Sequence, residues 1–181
     1  MTKLPRSHLR IADLPNRRAT DFLVEPTADE RAAIAEALDI IAIRKLRFSG
    51  KLSPIGKRDW RLDAELGATV VQSCVVTLEP VSTRIDEDVS RSYLSDLPEV
   101  LSGEVEMPED DTQEALPESL DLAAVMIEAL SLALPAYPRA EGAELGEAVF
   151  AQTGVTPLRD EDTKPFAGLA ELRESLEKKG K

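Results

Sequence analysis

Residues 67–88 read GATVVQSCVVTLEPVSTRIDED, and this stretch decides the fold. Its first half is an apolar-rich run around Cys74, the single cysteine of the chain, and such a run is typical of a buried strand. A tight turn is predicted before or at Pro80. Beyond the turn, Val81 and Ile85 alternate with polar residues, which is the pattern of a second strand with one buried face. The stretch therefore predicts two neighbouring strands joined by a short turn.

The sequence on the N-terminal side predicts four more strands and one helix. The strands are predicted at residues 9–14, 20–24, 40–52 and 59–66, with a bulge near residues 44–46, a turn at 53–56 and a strand break at Gly67. Thr27 and Glu30 form a capping-box pattern, which predicts a short amphipathic helix at about 28–38. Because the connections between consecutive strands are short, the sheet is predicted to be antiparallel.

The sequence on the C-terminal side changes character twice. Residues 98–118 contain three prolines and eight acidic residues and predict a flexible acidic loop. Residues 120–134 carry a broad apolar stripe and predict a mostly buried helix. An extended segment is expected at about 139–163. A last helix is expected at about 166–178, where apolar residues form one anchoring stripe.

These elements predict an α+β fold in a single domain spanning residues 1–181. The architecture expected is an antiparallel sheet or a partly open β-barrel of five to six strands, with the helix at about 120–134 packed against it. A hydrophobic content of 43% and a mean hydropathy of −0.20 indicate a folded protein outside the membrane. No apolar run reaches the roughly 18 residues of a spanning helix. The N-terminus lacks the apolar core of a signal peptide, and one cysteine fits a reducing compartment, so we expect a cytoplasmic protein.

The net charge of −12 is unevenly distributed along the chain. Residues 1–67 carry 13 basic and 10 acidic residues, whereas residues 68–135 carry 2 basic and 15 acidic residues. A chain with this excess of acid is repelled by phosphate backbones unless a local basic face makes the contact. The acidic middle of the chain would attract a basic partner such as a ribosomal protein. The alternative is that it serves only solubility.

A concentrated basic stretch lies on the strand predicted at 40–52. Its candidate RNA-contact residues are Arg44, Lys45, Arg47 and Lys51. Phe48 and Trp60 are nearby, and basic side chains beside an aromatic ring on a sheet face can pair with phosphates and stack on bases. Alternation points Trp60 away from Arg61 and towards the core, so an ordinary solvated sheet face is the alternative.

The patterns for catalysis and metal binding are weak. A tetrahedral zinc site needs four nitrogen or sulfur ligands, and this chain offers only Cys74 and His8. Cys74 is interpreted as a small buried residue, because a nucleophilic thiol would need a paired base. Two carboxylate pairs, Asp86 with Asp88 and Asp110 with Asp111, could hold Mg²⁺ in a nuclease, although no Lys or His base accompanies them. We therefore predict no catalytic residue, no metal and no cofactor.

Three blocks of the chain carry motifs that follow one another in a fixed order. The blocks are Cys-x-x-Thr-Leu-Glu-Pro-Val at 74–81, Leu-Asp-Leu at 120–122 leading to Leu-Pro-x-x-Pro at 134–138, and Lys-Pro-Phe-Ala-Gly-Leu-Ala-Glu-Leu at 164–172. The motif residues are Cys74, Leu78, Pro80, Asp121, Pro135, Pro165 and Phe166. In order and spacing the three blocks resemble the YceD family, the large ribosomal RNA subunit accumulation proteins, and the resemblance covers roughly residues 5–176.

The resemblance implies a role in 23S rRNA processing or accumulation, for proteins commonly encoded beside a small basic ribosomal protein. Two departures from the family pattern concern metal. Many members have a second cysteine where Thr77 stands and a His and Cys pair after the Leu-Pro-x-x-Pro, and together these could make a zinc site. Residues 139–145 of this chain contain neither His nor Cys, so a member with this sequence cannot require the metal.

The leading interpretation is a non-enzymatic accessory factor in large ribosomal subunit biogenesis that binds rRNA or precursor rRNA, a basic ribosomal protein, or both. Glu109, Asp110 and Asp111 are the candidate contacts to a basic partner. One alternative is a metal-dependent nuclease acting on precursor rRNA. Another is an acidic adaptor or chaperone for a basic ribosomal protein, without RNA contact. No membrane partner is expected.

Overall fold

The computed structural model describes residues 4–96 and 112–144. They form seven strands, two α-helices and a short 3-10 helix at Ile11–Asp13. The strands are β1 (His8–Arg10), β2 (Thr20–Val24), β3 (Ala42–Ile55), β4 (Asp59–Ser73), β5 (Pro80–Leu94), β6 (Gln113–Ala115) and β7 (Ser119–Asp121). The helices are α1 (Ala28–Ala37) and α2 (Leu122–Ala133).

The strands form two sheets, and the predicted α+β class is confirmed. A five-stranded sheet has the order β2-β3-β4-β5-β6, and β1 pairs with β7 in a separate antiparallel pair. All neighbours in the large sheet are antiparallel except β5 and β6, which are parallel. The sheet is therefore mixed, and it does not close into a barrel.

The three long strands β3, β4 and β5 form the centre of the sheet, and two predicted boundaries within them are wrong. Gly67 does not end a strand, because β4 runs without interruption and pairs Gly67 with Arg47 on one side and Asp86 on the other. A Cβ at Gly67 would lie 2.7 Å from Nη2 of Arg84, so the glycine makes room for that side chain. The turn predicted at 53–56 comes later, where Gly56 has a φ of +60° after the end of β3. The predicted bulge is confirmed by the register shift between Ile43 and Lys45.

One face of the sheet is buried, as the alternation of apolar residues predicts. Its side chains come from all three long strands: Leu46, Phe48, Leu52, Trp60, Leu62, Leu66, Val70, Ile85 and Tyr93. Ile34 of α1 and Met126 and Leu130 of α2 are fully buried in the same core. The opposite face carries the exposed side chains of the same strands.

Both helices begin at the caps that their sequences specify. The capping box at α1 is confirmed, since the Thr27 amide donates to Oε2 of Glu30 at 2.8 Å and the Glu30 amide donates to Oγ1 of Thr27 at 3.4 Å. Asp121 caps α2, and its Oδ1 accepts from the amides of Ala123 at 3.1 Å and Ser7 at 2.9 Å. The helix predicted at 120–134 begins two residues later, because residues 120 and 121 belong to β7.

The remaining predictions fall partly or wholly outside the described residues. The acidic loop predicted at 98–118 is wrong in its last part, where β6 pairs with Ser92–Leu94. Residues 98–111, the helix predicted at 166–178 and most of the segment predicted at 139–163 lie outside the described residues. A single domain over 1–181 stays a prediction.

Candidate functional site

The solvent-exposed face of the large sheet carries most of the predicted contact residues. Because side chains alternate along a strand, Lys45, Arg47 and Lys51 of β3 share this face, while Leu46 and Phe48 point into the core. Arg44 is the extra residue at the bulge and is exposed beside Lys45. The structure therefore places three of the four predicted RNA-contact residues on one face and the fourth at its end.

Acidic residues of the neighbouring strands interleave with these basic residues. Lys51 lies between Asp21 of β2 and Asp63 of β4 in the register of the sheet. Nε of Arg47 is 3.6 Å from Oε1 of Glu25. Asp63, Glu65 and Ser90 of this face were not among the predicted site residues, although alternation on β4 and β5 places them on it beside the predicted pair Asp86 and Asp88. The face is thus mixed in charge.

A hydrogen-bonded cluster fixes the centre of this face. Arg61 donates from Nε to Oδ1 of Asp63 at 2.9 Å and from Nη2 to Oγ of Ser90 at 3.1 Å. The Ser90 hydroxyl donates to Oδ1 of Asp63 at 3.0 Å. These bonds hold the pKa of Asp63 below its usual value, and the bond from Arg61 contributes most. Beside the cluster, a trough of about 590 Å³ is lined by polar residues that include Lys51, Asp63 and Asp88.

The predicted carboxylate pair Asp86 and Asp88 lies on the same face, two residues apart on β5. Arg84 binds Asp86 through both of its carboxylate oxygens, one bond being Nε to Oδ2 at 2.8 Å. This arginine holds the pKa of Asp86 below its usual value. A carboxylate occupied in this way has few free lone pairs to offer a metal ion. In the described ranges 4–96 and 112–144, no group of three or more His, Cys, Asp or Glu residues could hold a metal.

The aromatic residues near the basic strand do not reach the solvent. Phe48 is fully buried, Trp60 is 3% exposed, and Phe48 packs on Phe22 with ring centroids 5.4 Å apart. Base stacking by these rings would require them to leave the core. Contact with RNA through this face would therefore rest on charge alone.

Cys74 lies in the turn between β4 and β5, and its thiol is fully buried. Its Sγ accepts from the backbone amides of Val76 at 3.4 Å, Thr77 at 3.4 Å and Ala140 at 3.3 Å. Hydrogen bonding, first from the Thr77 side chain and then from the amide of Ala140, lowers the pKa of Cys74 to about 6. The sulfur has no acid–base partner side chain in these contacts.

The segment after α2 closes over the Cys74 turn, so the first two motif blocks meet. The amide of Val75 donates to the carbonyl of Pro138 at 2.9 Å. Nε2 of Gln72 donates at 3.1 Å to the carbonyl of Pro135, which lies two residues after the end of α2. Together with the bond from Ala140 to Cys74, these contacts join two parts of the chain that are more than sixty residues apart.

The residues at this junction do not fit the zinc site that the family pattern implies. The Thr77 side chain is engaged with Glu79, whose amide donates to Oγ1 of Thr77 at 3.4 Å. Ala140 contributes only its backbone to Cys74. His8 is on β1, where its Nε2 lies 3.7 Å from Oδ2 of Asp121. Hydrogen bonds therefore hold together the junction at which the family pattern implies a metal.

The other predicted site residues have structural positions or lie outside the described part. Asp121 caps α2, Leu78 is 76% exposed with a φ of +62°, and Pro80 begins β5. The predicted partner contacts Glu109, Asp110 and Asp111 and the motif residues Pro165 and Phe166 lie outside the described residues.

Neither helix in the described part of the chain is long and apolar enough to cross a membrane.

Comparison with known proteins relates the chain to a protein family. No curated protein and no solved structure matches the chain. A family model described as "Large ribosomal RNA subunit accumulation protein YceD" matches residues 62–173, which is more than half of the chain and includes all three motif blocks. The chain therefore belongs to the YceD family of large ribosomal RNA subunit accumulation proteins.

Proposed function

We propose that this protein is a non-enzymatic accessory factor that supports processing or accumulation of 23S rRNA in the cytoplasm, and that it acts by binding. The family name ties the chain to large-subunit rRNA accumulation. The observation that carries the binding role is the junction around Cys74. The family motifs there hold β4, β5 and the segment after α2 together instead of presenting a reactive group to solvent.

The charges of the described residues support a basic protein as the direct partner. On the exposed sheet face, Arg61 is bound by Asp63, Arg84 by Asp86, and Arg47 lies close to Glu25. A carboxylate beside each of these cations weakens the attraction of the face for phosphate. The net charge of −12 acts in the same direction over the whole chain and favours a basic protein.

The bulge of β3 is the place where direct RNA contact is best supported. Arg44 and Lys45 are both exposed there, and no ion pair is found for either of them among the described residues. If they contact phosphates, replacing each one with alanine should reduce the slope of log K against log salt by roughly 0.7–0.9. Lys57→Ala, in the turn after β3, is a matched control that removes the same charge elsewhere.

Genetic depletion with complementation tests the proposed function. Loss of the protein should lower mature 23S rRNA relative to 16S rRNA, and the wild-type chain should restore it. The double variant Asp86→Asn/Asp88→Asn should restore it at least in part, whereas a metal-dependent nuclease that uses this pair would be inactive. An unchanged ratio after depletion would refute the proposed function. Precursor cleavage by purified protein that the double variant abolishes would establish the nuclease instead.

A further inference from the structure

Among the residues that the structure describes, the outer edge of β5 is largely unpaired. β4 pairs with β5 along its whole length, from Ser73 opposite Pro80 to Trp60 opposite Tyr93. On the other side, β6 pairs only with Ser92–Leu94. Within the described ranges, no strand lies beside Pro80–Arg91 on that side. A long stretch of β5 therefore has a free edge with respect to the described part of the chain.

The direction of the free backbone groups follows from the contacts with the β6 segment. The Ser92 amide donates to the carbonyl of Thr112 at 2.9 Å, and the Leu94 carbonyl accepts from the amide of Leu116 at 2.9 Å. Alternate residues of a strand turn their backbone groups to the same side. The amides and carbonyls of Asp86, Asp88 and Ser90 consequently point outwards, while those of the residues between them point to β4. Such a row is a template for another strand.

A groove runs beside this edge. Its volume is about 330 Å³, and it lies between residues 87–91 of β5 and the face of α2 formed by Ala129, Leu132 and Ala133. Leu132 is a large apolar residue that is 78% exposed. When a peptide adds to a sheet edge, backbone hydrogen bonds supply affinity and such pockets select side chains.

The charge of the edge selects a basic partner. Asp86, Glu87 and Asp88 are consecutive exposed carboxylates. Arg84 already binds Asp86, so Glu87 and Asp88 carry the free negative charge. The nearby Arg91 is already held by Glu114 at 2.6 Å and Glu128 at 3.1 Å, so it adds little free positive charge.

We propose that the edge of β5 from Asp86 to Ser90, with the groove against α2, binds an extended basic segment of a partner protein by strand addition. An apolar side chain of that segment fills the groove beside Leu132. This inference rests on the proposed function, because it takes over the basic protein partner. It adds the surface of the chain at which that partner binds.

Amide hydrogen exchange on the full chain tests the site with a defined probe. The probe is a capped peptide of about nine residues that alternates lysine and valine, long enough to run beside Ser82–Ser90. It should slow exchange at the amides of Asp86, Asp88 and Ser90 and leave those of Glu87 and Val89 unchanged, because the latter two already face β4. A peptide with glutamate in place of lysine should bind at least about tenfold more weakly.

Variants separate the backbone contacts from the charge. Asp88→Asn should weaken binding of the lysine peptide about two- to fivefold through lost attraction. Asp88→Pro also removes the outward amide, without removing a bond to β4, and should weaken binding about tenfold or more. Leu132→Ser should weaken binding of this peptide but have a smaller effect when alanine replaces its valines. A lysine peptide with N-methylated backbone amides should fail to bind the wild-type chain, which tests the same contacts if Asp88→Pro does not fold.

Several results would overturn the proposal. One is binding that protects none of the three outward amides; another is equal binding of the glutamate peptide or of the N-methylated peptide. Strong protection of the same amides in the free monomer would mean that the chain covers its own edge. Protection that appears only with dimerisation would identify a second copy as the occupant. In any of these cases, a 23S rRNA defect after depletion would still support the proposed function, and the partner would bind at a surface other than the β5 edge.

Discussion

Cys74 shows how one residue links the sequence motif to the fold. Its thiol accepts three backbone amides, two from its own turn and one from Ala140. Hydrogen bonds to a sulfur favour the thiolate. Those from the Thr77 side chain first, and then from the backbone amides, explain why the pKa of this buried group falls to about 6 instead of rising with burial. The sequence analysis predicted a small buried residue, and burial is what the structure has. The hydrogen bonds were not predictable, because Ala140 meets Cys74 only after α2 has packed.

The pKa of Cys74 gives a first prediction. The folded pKa lies below the ordinary value of 9.0, so the thiolate adds stability that is complete above 9.0 and is lost as the pH falls through about 6. The free energy of unfolding of the wild type relative to Cys74→Ala should therefore rise between pH 6 and pH 9. Urea unfolding at a series of pH values measures this difference. A difference that does not change over this range would contradict the hydrogen-bonding pattern.

Thr77 provides the matched test of the same contact. Thr77→Val removes the side-chain hydroxyl that contributes most to the lowered pKa of Cys74, whereas Thr77→Ser keeps it. The ultraviolet absorbance of the thiolate follows the titration without ambiguity, because the chain has one cysteine. We expect a higher thiol pKa in the valine variant and little change in the serine variant.

The second prediction at the scale of residues concerns the metal content of the purified protein. Since Thr77 and Ala140 offer no nitrogen or sulfur side-chain ligand beside Cys74, the purified protein should contain no stoichiometric zinc. Thr77→Cys should also fail to bind zinc tightly, because two ligands do not complete a tetrahedral site. Elemental analysis after purification without chelators measures this directly. About one zinc per chain in the wild type would show that other residues complete a site.

At the scale of elements, the sequence predicted those features that depend on interactions between residues close together in the chain. The bounds of β2, the bulge of β3 and the capping box of α1 follow from neighbouring residues, and the structure confirms them. The break at Gly67 was wrong because the space that the glycine leaves is used by Arg84 of the next strand. The parallel β6 and the pairing of β1 with β7 were missed, since three-residue strands leave little periodic signal and depend on long-range packing. Of the strand predicted at 9–14, only Leu9 and Arg10 lie in β1, because Ile11–Asp13 form the 3-10 helix.

The prediction at the scale of elements concerns the stability effect of Asp121, because this residue joins β7, α2 and the N-terminal segment. Its carboxylate accepts amides from Ala123 and Ser7. Asp121→Ala should lower the free energy of unfolding by about 1–2 kcal/mol, from the lost helix cap and the unpaired amide of Ser7. Asp121→Asn keeps an acceptor oxygen and should lose less than half of that amount. Equal losses in the two variants by urea unfolding would mean that charge, and not capping, is the contribution of Asp121.

At the scale of the whole molecule, the linear sequence suggested a basic strand and a separate acidic middle, whereas the folded sheet interleaves basic and acidic side chains on one face. Lys51 comes to lie between Asp21 and Asp63, and Arg84 binds Asp86. The placement of Lys45, Arg47 and Lys51 on one face was predictable from alternation. Alternation also places the acidic residues of β4 and β5 on that face. It does not say which of them lie beside each basic residue, because strand register decides which charges become neighbours. Because the charges of this face are mixed, we propose that the protein directly contacts a basic protein, and that the complex of the two supports rRNA accumulation.

The central claim is that the protein supports rRNA accumulation through direct contact with a basic ribosomal protein. Affinity capture of the tagged full chain from cells, with and without RNase, tests it most directly when bound proteins are identified by mass spectrometry. The account predicts that a small basic protein of the large subunit stays bound after RNase. It should also stay bound to the Lys45→Ala/Arg47→Ala/Lys51→Ala variant and be lost at high salt. Release of all ribosomal proteins by RNase, or by that triple variant, would contradict the claim and make direct RNA binding the function of the sheet face.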